Sequence, residues 1–364
     1  MKTFPRAGMK PETWRNPGCG FPRLIIPAAT GIPWLTTMKT TSLFLALLWL
    51  APGLSAAESG VVAAKPLYRD PVYDGAADPT LIWNPQAQKW WMFYTDRRAN
   101  APGLSGVAWV HGTPIGIAES ADGGAHWSFV GMAQFDLPAE YGGTNVTEWA
   151  PDVVRAPDGT WQMFLTVVPG IFQDWGHPRF IVQLTSTNLL NWSNPRKLSL
   201  SSGRVIDPSI ERMPDGTWRL YYNDELAGKA INYAESPDLK NWTDKGRAFP
   251  SRGEGPKGFR WRGKFWCVID EWKGLGVFRS DDGLAWSKQP ENLVAKPGTG
   301  ADDRAMGQHC DVVVSGDRAF LFYFTHPDPG GRRSSIQATE LLEKDGWLTC
   351  NRDEPAHIRL LPQK

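Results

Sequence analysis

The sequence predicts an all-β fold, a five-bladed β-propeller whose blades are four-stranded antiparallel sheets. Three observations support this prediction. An apolar run, an Asp-Gly or Gly-Lys turn, an aromatic-rich run and a Ser/Asp turn closed by Trp recur five times between Asp78 and Asn351, and repeats of this length are typical of propellers and solenoids. Each copy has about 61 residues, enough for one four-stranded blade with its loops. The chain also contains 19 Trp and 16 Phe residues, whose rings can pack blade against blade.

The five copies differ most at the start of the first strand of each blade. Aligned on the aromatic residue after the turn, they place Asp207, Glu254 and His309 at one repeat position, and Asp78 within one residue of it. First strands line the central channel of a propeller, so four ionisable side chains are expected at the inner edges of four blades. The copies read ADPTLIWNPQAQKWWMFY from Ala77, WAPDVVRAPDGTWQMFL from Trp149, IDPSIERMPDGTWRLYY from Ile206, GEGPKGFRWRGKFWCVI from Gly253 and QHCDVVVSGDRAFLFYF from Gln308.

The residues before the repeats resemble a leader for export. Met38-Lys39 opens a basic segment, an apolar stretch follows from Ser42 to Ala51, and Ser55-Ala56-Ala57 provides small residues for cleavage, which is typical of a secretory signal peptide. We therefore predict a signal peptide at residues 38–57, a single propeller domain at 58–364, and a periplasmic or secreted protein. Residues 1–37 are interpreted as an extension from an early start site, with a disordered extension as the alternative.

Composition and spacing argue against several classes of partner. The formal net charge is only +1, which lacks the basic footprint of a nucleic-acid-binding protein. The apolar stretch of the leader is too short to span a membrane. No CxxC or HExxH spacing occurs in the sequence, so a zinc site has no support. The expected partner is a small or oligomeric substrate, with no nucleic acid and no membrane span in the mature protein.

The loops between second and third strands should meet the starts of the first strands on one face of the propeller. Consecutive strands of a meander reverse direction, so both groups of residues point toward the same end of the channel. The residues that we predict to bind a substrate there are Trp149, Arg97, His111, Trp175, Trp272, His309 and Asp152.

The candidate catalytic residues are Asp78, Asp207 and Glu254. Carboxyl groups that share a narrow channel repel one another, so at least one should keep its proton near neutrality while another stays ionised. An Asp before Pro is more often a turn residue than a catalyst, whereas Glu254 in Glu-Gly-Pro has no advantage as a turn former. Asp152 lies two residues further along its strand than Asp207, and we expect it to bind substrate or to be structural.

The ADP motif at Ala77, WAPD at Trp149, IDP at Ile206 and EGP at Glu254 together resemble glycoside hydrolase family 43 and its five-bladed propeller clan, which includes neoagarooligosaccharide hydrolases. The resemblance implies that Asp78 is the general base, that Asp207 adjusts and orients the acid, and that Glu254 is the general acid. It implies no catalytic role for WAPD. It places His309 near the channel, where a structural calcium or sodium ion is an expectation, and it requires no cofactor.

This resemblance implies a secreted, exo-acting glycoside hydrolase that cleaves plant or algal oligosaccharides with inversion at the anomeric carbon. The alternative is a catalytically inactive propeller that binds glycan. The two interpretations differ at Glu254, because a binding protein has no use for a protonated acid there. A sialidase is disfavoured by the number of blades and because no set of channel arginines is expected.

Overall fold

Each sequence copy forms one antiparallel sheet, and the first strands of the five sheets contact one another in a closed cycle. The structure, a computed structural model, describes residues 60–328 and 330–363, which belong to one compact unit. The fold is a five-bladed β-propeller with almost no helix, as the sequence predicts. The proposed leader and extension, residues 1–57, lie outside the described residues.

The strands follow the order of the copies. β1 (Val61–Val62) precedes blade one, which contains β2 (Ala76–Asn84), β3 (Lys89–Asp96), β4 (Ile115–Ser120) and β5 (Ser128–Met132). Blade two contains β6 (Gln134–Phe135), β7 (Thr147–Arg155), β8 (Trp161–Val168), β9 (Phe180–Ser186) and β10 (Asn191–Lys197). Blade three contains β11 (Val205–Arg212), β12 (Trp218–Asp224), β13 (Ala230–Ser236) and β14 (Thr243–Arg252). Blade four contains β15 (Glu254–Trp261), β16 (Lys264–Asp270), β17 (Leu275–Ser280) and β18 (Ser287–Lys288). Blade five contains β19 (Gln308–Ser315), β20 (Arg318–Thr325), β21 (Ser335–Lys344) and β22 (Trp347–Thr349), and β23 (His357–Ile358) follows it.

Blade two differs from the prediction because it has five strands. The chain leaving blade one crosses to blade two as β6 and pairs in parallel with the outer strand β10. The only helices in the described ranges are two single 3₁₀ turns, Ala108–Val110 and Ala139–Tyr141. No helix within those ranges has the length and apolar character needed to span a bilayer.

The second strands are the most deeply buried elements. β8, with the sequence WQMFLTVV, is buried along its whole length, and aromatic and β-branched side chains of this kind favour strands that are covered on both faces. In blades two and three, the preceding Asp-Gly turns close with Gly159 at φ 86° and Gly216 at φ 89°, a left-handed conformation that glycine adopts without steric cost.

Every first strand is kinked near the channel. The strand pairing shifts register after Ala77, Trp149, Ile206, Glu254 and Gln308. In blades one to four the shifted segment is a residue with positive φ followed by Pro: Asp78 (φ 50°), Ala150 (φ 45°), Asp207 (φ 58°) and Gly255 (φ 54°). Proline cannot donate to the ladder, so the pairing is interrupted there.

The kink corrects the predicted alignment. Asp78, Ala150, Asp207 and Gly255 are equivalent, and Glu254 lies one residue earlier, at the position of Ile206. In blade five the interruption is a single residue, His309. The backbone turns between these two repeat positions. Asp78 and Asp207 at one position and Glu254 at the other can therefore both reach the channel face.

The Ser/Asp turns on the outer halves of the blades have the structural role that the sequence predicts. In blade one, Asp122 Oδ1 accepts hydrogen bonds from the hydroxyl of Ser120 (2.8 Å) and from the backbone N–H of His126 (3.1 Å). The indole of Trp127 donates to the carbonyl of Gly124 at 2.9 Å and packs against the core. These turns terminate the outer strands and contribute nothing to the channel.

Blade one and blade five meet at a seam. These two blades come from opposite ends of the repeat region, so no connection between consecutive strands joins them. There β1 pairs with β23, and the segment after β23 binds both blades: Leu360 N–H donates to the Gly123 carbonyl of blade one at 2.8 Å, and Leu361 N–H donates to Ser315 Oγ of blade five at 2.8 Å. We call this the rim latch.

Candidate active site

A cavity of about 640 Å³ opens at the end of the channel where the first strands begin. Its size is in the range of small-ligand sites. Eight of the ten predicted site residues line it: Asp78, Arg97, Trp149, Trp175, Asp207, Glu254, Trp272 and His309. Asp152 and His111 do not.

Asp78 is a buried carboxylate held between two cations. The Arg97 guanidinium donates to both carboxylate oxygens at 3.2 and 3.3 Å, and His309 Nδ1 lies 3.4 Å from Oδ1. Burial alone would raise the pKa of Asp78, but the charge of Arg97 and the hydrogen bond from His309 hold it well below its usual range. Asp78 is therefore expected to be ionised at neutral pH.

Arg97 is itself positioned by blade five. It lies over the ring of Phe324, 4.6 Å from the centroid, and 3.3 Å from His326 Nε2. His326 Nδ1 donates to the Arg333 carbonyl at 2.8 Å, so its Nε2 is the acceptor for Arg97. Burial and the charge of Arg97 lower the pKa of His326 to about 4, which keeps this imidazole neutral.

Asp207 shows the opposite behaviour to Asp78. Its carboxylate accepts the backbone N–H of Gly255 at 2.9 Å, yet burial, opposed by the charge of His309 and assisted by those of Glu254 and Asp78, raises its pKa to about 7. The two pKa values are thus shifted in opposite directions, as expected if one channel carboxyl keeps its proton near neutrality while another stays ionised; that statement stays a prediction.

Glu254 is the most accessible of the three carboxyl groups, with 28% of its side chain exposed. Lys229 Nζ donates to Oε2 at 2.8 Å, and the indole of Trp272 donates to Oε1 at 3.0 Å. Trp272 is 40% exposed and lies at the mouth of the cavity. Both donors fix the orientation of the Glu254 carboxyl group.

The residues around His309 do not fit the expected cation. Burial alone would lower the pKa of His309, but its hydrogen bond to Asp78 and the charges of Asp78, Asp207 and Asp270 raise it to about 9. The proton that this pKa implies at neutral pH makes His309 a partner of the channel carboxylates, with Nδ1 3.4 Å from Asp78 Oδ1. Within the described ranges, no group of three or more His, Cys, Asp or Glu side chains could hold a metal ion.

Asp152 lies below the cavity in a polar cluster that we call the channel hub, formed by Thr80, Asp152, Lys257 and Asp311. Lys257 Nζ donates to Asp152 at 3.2 Å and to Asp311 at 2.8 Å. Thr80 Oγ1 and the backbone N–H of Ile210 also donate to Asp152, and the backbone N–H of Leu81 donates to Asp311. The hub therefore connects all five blades, and these contacts favour the structural alternative for Asp152.

His111 lies behind the cavity wall. It is fully buried, its ring is 5.3 Å from that of Trp149 and 6.1 Å from that of Trp175, and burial lowers its pKa to about 4. The neutral imidazole supports two indoles, Trp149 and the half-exposed Trp175, which face the cavity. Its contribution to binding is through these rings.

Sequence reasoning missed the charged residues on the wall formed by blades two and three. Arg179, Arg204, Glu225 and Lys229 line the cavity there. The expectation that the channel lacks a set of arginines is wrong, because Arg97, Arg179 and Arg204 all reach it. Arg179 directly precedes β9 and Arg204 directly precedes β11, at positions where the repeat motifs specify no arginine, so the alignment gave no signal for these two residues. Asp270, whose pKa burial raises to about 6, was likewise missed.

Comparison with solved structures identifies the architecture. A thermostable family-43 glycoside hydrolase is 20% identical, with a TM-score of 0.58 over 82% of this chain and 99% of that one. A GH43_1 enzyme from Xanthomonas citri complexed with xylotriose is 15% identical (TM-score 0.59; 84% and 98% covered). A GH43 β-1,3-galactosidase with galactodeoxynojirimycin is 16% identical (TM-score 0.58; 84% and 99% covered).

The fold is that of the family-43 glycoside hydrolases. By sequence alone, the chain matches no family model and no curated protein. The family-43 fold covers the whole propeller, and the resemblance that the four motifs suggested is confirmed at the level of the fold.

Proposed function

We propose that the protein is a secreted glycoside hydrolase that releases sugars from the ends of plant or algal oligosaccharides. One observation carries the proposal: Asp78, Asp207 and Glu254, from blades one, three and four, line one cavity, and the pKa values of Asp78 and Asp207 are shifted in opposite directions. Glycosidic cleavage needs a carboxylate and a proton-bearing acid on opposite sides of a sugar.

In this mechanism Asp78 is the base. Its ionised carboxylate takes a proton from a water molecule while the water oxygen forms a bond to the anomeric carbon. Arg97 and His309 hold the carboxylate in place. Because both are cations, they also keep Asp78 deprotonated before each turnover.

Glu254 is the acid in this mechanism. The bond from the anomeric carbon to the leaving oxygen breaks as Glu254 donates a proton to that oxygen. Asp207 adjoins Glu254, and the negative charge of Glu254 is one of the causes that raise the pKa of Asp207 to about 7 after burial, so the two carboxyl groups disfavour being ionised together. Lys229 and Trp272 orient the Glu254 carboxyl group, and the contact with Lys229 has to yield when Glu254 takes up a proton.

The proposed enzyme is exo-acting and inverts configuration. Inversion requires room for water, so the carboxyl groups of Asp78 and Glu254 should be about 6.5 to 9.5 Å apart, against about 5 to 5.5 Å for a retaining pair. NMR observation of the first-formed anomer decides between them.

Two substitutions test the roles. Glu254→Gln should abolish turnover of oligosaccharides, whose leaving groups need protonation, and should spare much of the activity on activated aryl glycosides. Asp78→Asn should lose activity on both substrates by roughly 10²–10⁴-fold, since the water still needs its base. Full activity of Glu254→Gln on an oligosaccharide would show that Glu254 is not the acid.

The alternative function is a glycan-binding propeller without activity. The exposed indoles of Trp175 and Trp272 (50% and 40% exposed) favour sugar stacking in either case. A pure binding protein would release no sugar from any oligosaccharide, and Glu254→Gln would leave its affinity nearly unchanged.

Export and independence from metal complete the proposal. The mature protein should begin near Glu58, which N-terminal sequencing of exported material tests. The proposed mechanism uses no cofactor, because its base, its acid and the groups that orient them are all side chains of this chain.

A further inference from the structure

The wall of the cavity formed by blades two and three carries more positive than negative charge. Arg179, Arg204 and Lys229 surround one carboxylate, Glu225, and we call these four residues the cationic wall. Arg179 Nε donates to Glu225 Oε2, Lys229 Nζ lies 3.1 Å from Oε1, and Arg204 Nε lies 4.0 Å from Oε2. Three permanent cations thus share a single dedicated carboxylate.

The rest of the cavity does not neutralise this excess. Lys229 has a second partner in Glu254, but Arg179 and Arg204 have no other carboxylate partner among the described residues. Asp207 and Asp270 line the cavity as well, and burial shifts the pKa of each toward neutrality, so at mildly acidic pH they add little negative charge. On the opposite side, Arg97 is committed to Asp78.

Arg204 is the member of the cationic wall with free donor capacity. About 30% of its side chain is exposed. Its Nη2 donates to the Trp175 carbonyl, and among the described residues Nη1 makes no hydrogen bond, so this end of the guanidinium can meet a ligand. A guanidinium fork matches the paired oxygens of a carboxylate or sulfate group.

The cationic wall also borders a surface suited to a sugar ring. Arg179 and Arg204 both donate to the backbone carbonyl of Trp175, at 3.2 and 2.8 Å, so these cations are fixed beside that half-exposed indole. Arg179 also lies over the ring of Trp149, 5.7 Å from its centroid. A sugar stacked on Trp175 would have its ring substituents near the cations.

We propose that the substrate is an oligosaccharide with an anionic group, a uronate carboxylate or a sulfate ester, which the cationic wall binds. This inference rests on the proposed function, because it names the substrate class of the same cavity. It departs from neutral sugars such as the xylotriose in the structural comparison.

The test uses matched pairs of aryl glycosides that differ only at C6: galactoside against galacturonide and glucoside against glucuronide, as both anomers. Galacturonic-acid trimers and sulfated galactan oligosaccharides, each beside its neutral counterpart, separate carboxylate from sulfate. For the preferred sugar, kcat/KM should be at least tenfold higher for the anionic member, and its KM should rise with added salt because salt screens the attraction.

Arg204→Gln should reduce the ratio of anionic to neutral kcat/KM about tenfold or more, since a hydrogen bond to a charged group contributes about 1.5–3 kcal/mol. Arg212→Gln is the matched control: Arg204 directly precedes β11, and Arg212 is the last residue of that strand, where it is exposed and stacks on Trp218. This control should change neither the ratio nor the activity. Equal or better hydrolysis of the neutral members, or a ratio unchanged in Arg204→Gln, would overturn the inference.

If no glycoside is hydrolysed, the proposed function fails separately, and isothermal titration of the same trimers still decides the inference. Tighter binding of a uronate or sulfated oligosaccharide that weakens in Arg204→Gln supports it. Equal binding of the neutral sugar contradicts it.

Discussion

The active-site layer and the channel hub occupy the same first strands, two residues apart along the chain, and they are built on opposite principles. In the hub, the ammonium of Lys257 faces two carboxylates, and backbone or hydroxyl donors complete both of them. In the layer above, two cations, Arg97 and His309, face the single carboxylate of Asp78, and burial raises the pKa of Asp207. In the hub, fixed donors hold both carboxylates, which favours stability, whereas in the layer above the charges are placed so that they shift pKa values, which chemistry requires.

The backbone shows the same contrast. Asp78 and Asp207 adopt left-handed φ angles of 50° and 58°, which cost roughly 1 kcal/mol each for a residue with a Cβ atom. The hub residues Thr80, Asp152, Lys257 and Asp311 have no such outlier. A rigid ring of contacts below thus holds a strained layer above.

The largest effect is expected from a substitution that disrupts the hub. Lys257→Met leaves Asp152 and Asp311 buried without their shared cation, so the free energy of unfolding should fall by about 3–5 kcal/mol. Chemical denaturation monitored by Trp fluorescence measures it.

Lys229→Met is the control in the upper layer. Lys229 is 30% exposed and Glu225 keeps Arg179 as a partner, so we expect a loss below about 1 kcal/mol. Equal losses in the two variants would show that the hub is no more important to stability than the cavity wall.

The next effect is a pH dependence to which His309 in the upper layer contributes. The pKa of His309 is raised from 6.5 to about 9 in the folded protein, so its stabilising contribution is complete below about pH 6.5 and is lost as pH rises toward 9. The loss should be at most on the order of 3 kcal/mol. Lys257, whose pKa is raised above its ordinary range, stays charged in this interval and adds no slope.

Denaturation curves at several pH values compare wild type with His309→Gln, in which the slope between pH 6.5 and 9 should become flatter. A slope that persists in this variant would assign the dependence to other groups.

A smaller effect concerns Asp207 and activity. If turnover requires its proton, kcat/KM should fall as pH rises through about 7, the pKa of Asp207. Asp207→Asn should lose about 10–100-fold, less than Asp78→Asn, and that alkaline decline should disappear because the amide does not titrate. A decline at the same pH in Asp207→Asn would assign the titration to another group.

The smallest effect is expected from metal removal. Since Lys257 supplies the positive charge of the hub and His309 carries a proton, dialysis against EDTA should leave both turnover and the melting temperature unchanged. Restoration of lost activity by calcium would contradict this description of the channel.

The sequence predicts the fold because the repeat records it directly: blade number, order and strand type follow from the periodic aromatic and apolar runs. The alignment failed by one residue at Glu254 because it used the aromatic after the turn, whereas the turn before it varies in length. The prolines Pro79, Pro151, Pro208 and Pro256 mark the kink and give the correct register.

The channel hub and the cationic wall could not be predicted in the same way. Lys257 follows Gly255-Pro256 as an ordinary strand residue, and only the closed ring brings it between Asp152 and Asp311. Arg179 and Arg204 directly precede strands of different blades. Contacts between blades depend on how the ring of blades closes, and no local sequence pattern specifies that closure.

The seam between blade one and blade five has a consequence for inactivation. Chain connections join all other neighbouring blades, but this pair is held by non-covalent contacts: the hub, the rim latch, a shared apolar cluster and the ion pair of Arg333 with Asp74. Asp78 and Arg97 lie on one side of the seam, and His309 and His326 lie on the other. A ring that loosens at the seam would separate the base from both histidines while every blade keeps its own sheet. Heat inactivation of this propeller would then precede the melting of its strands, and ligands that bridge the seam would protect activity more than they protect secondary structure.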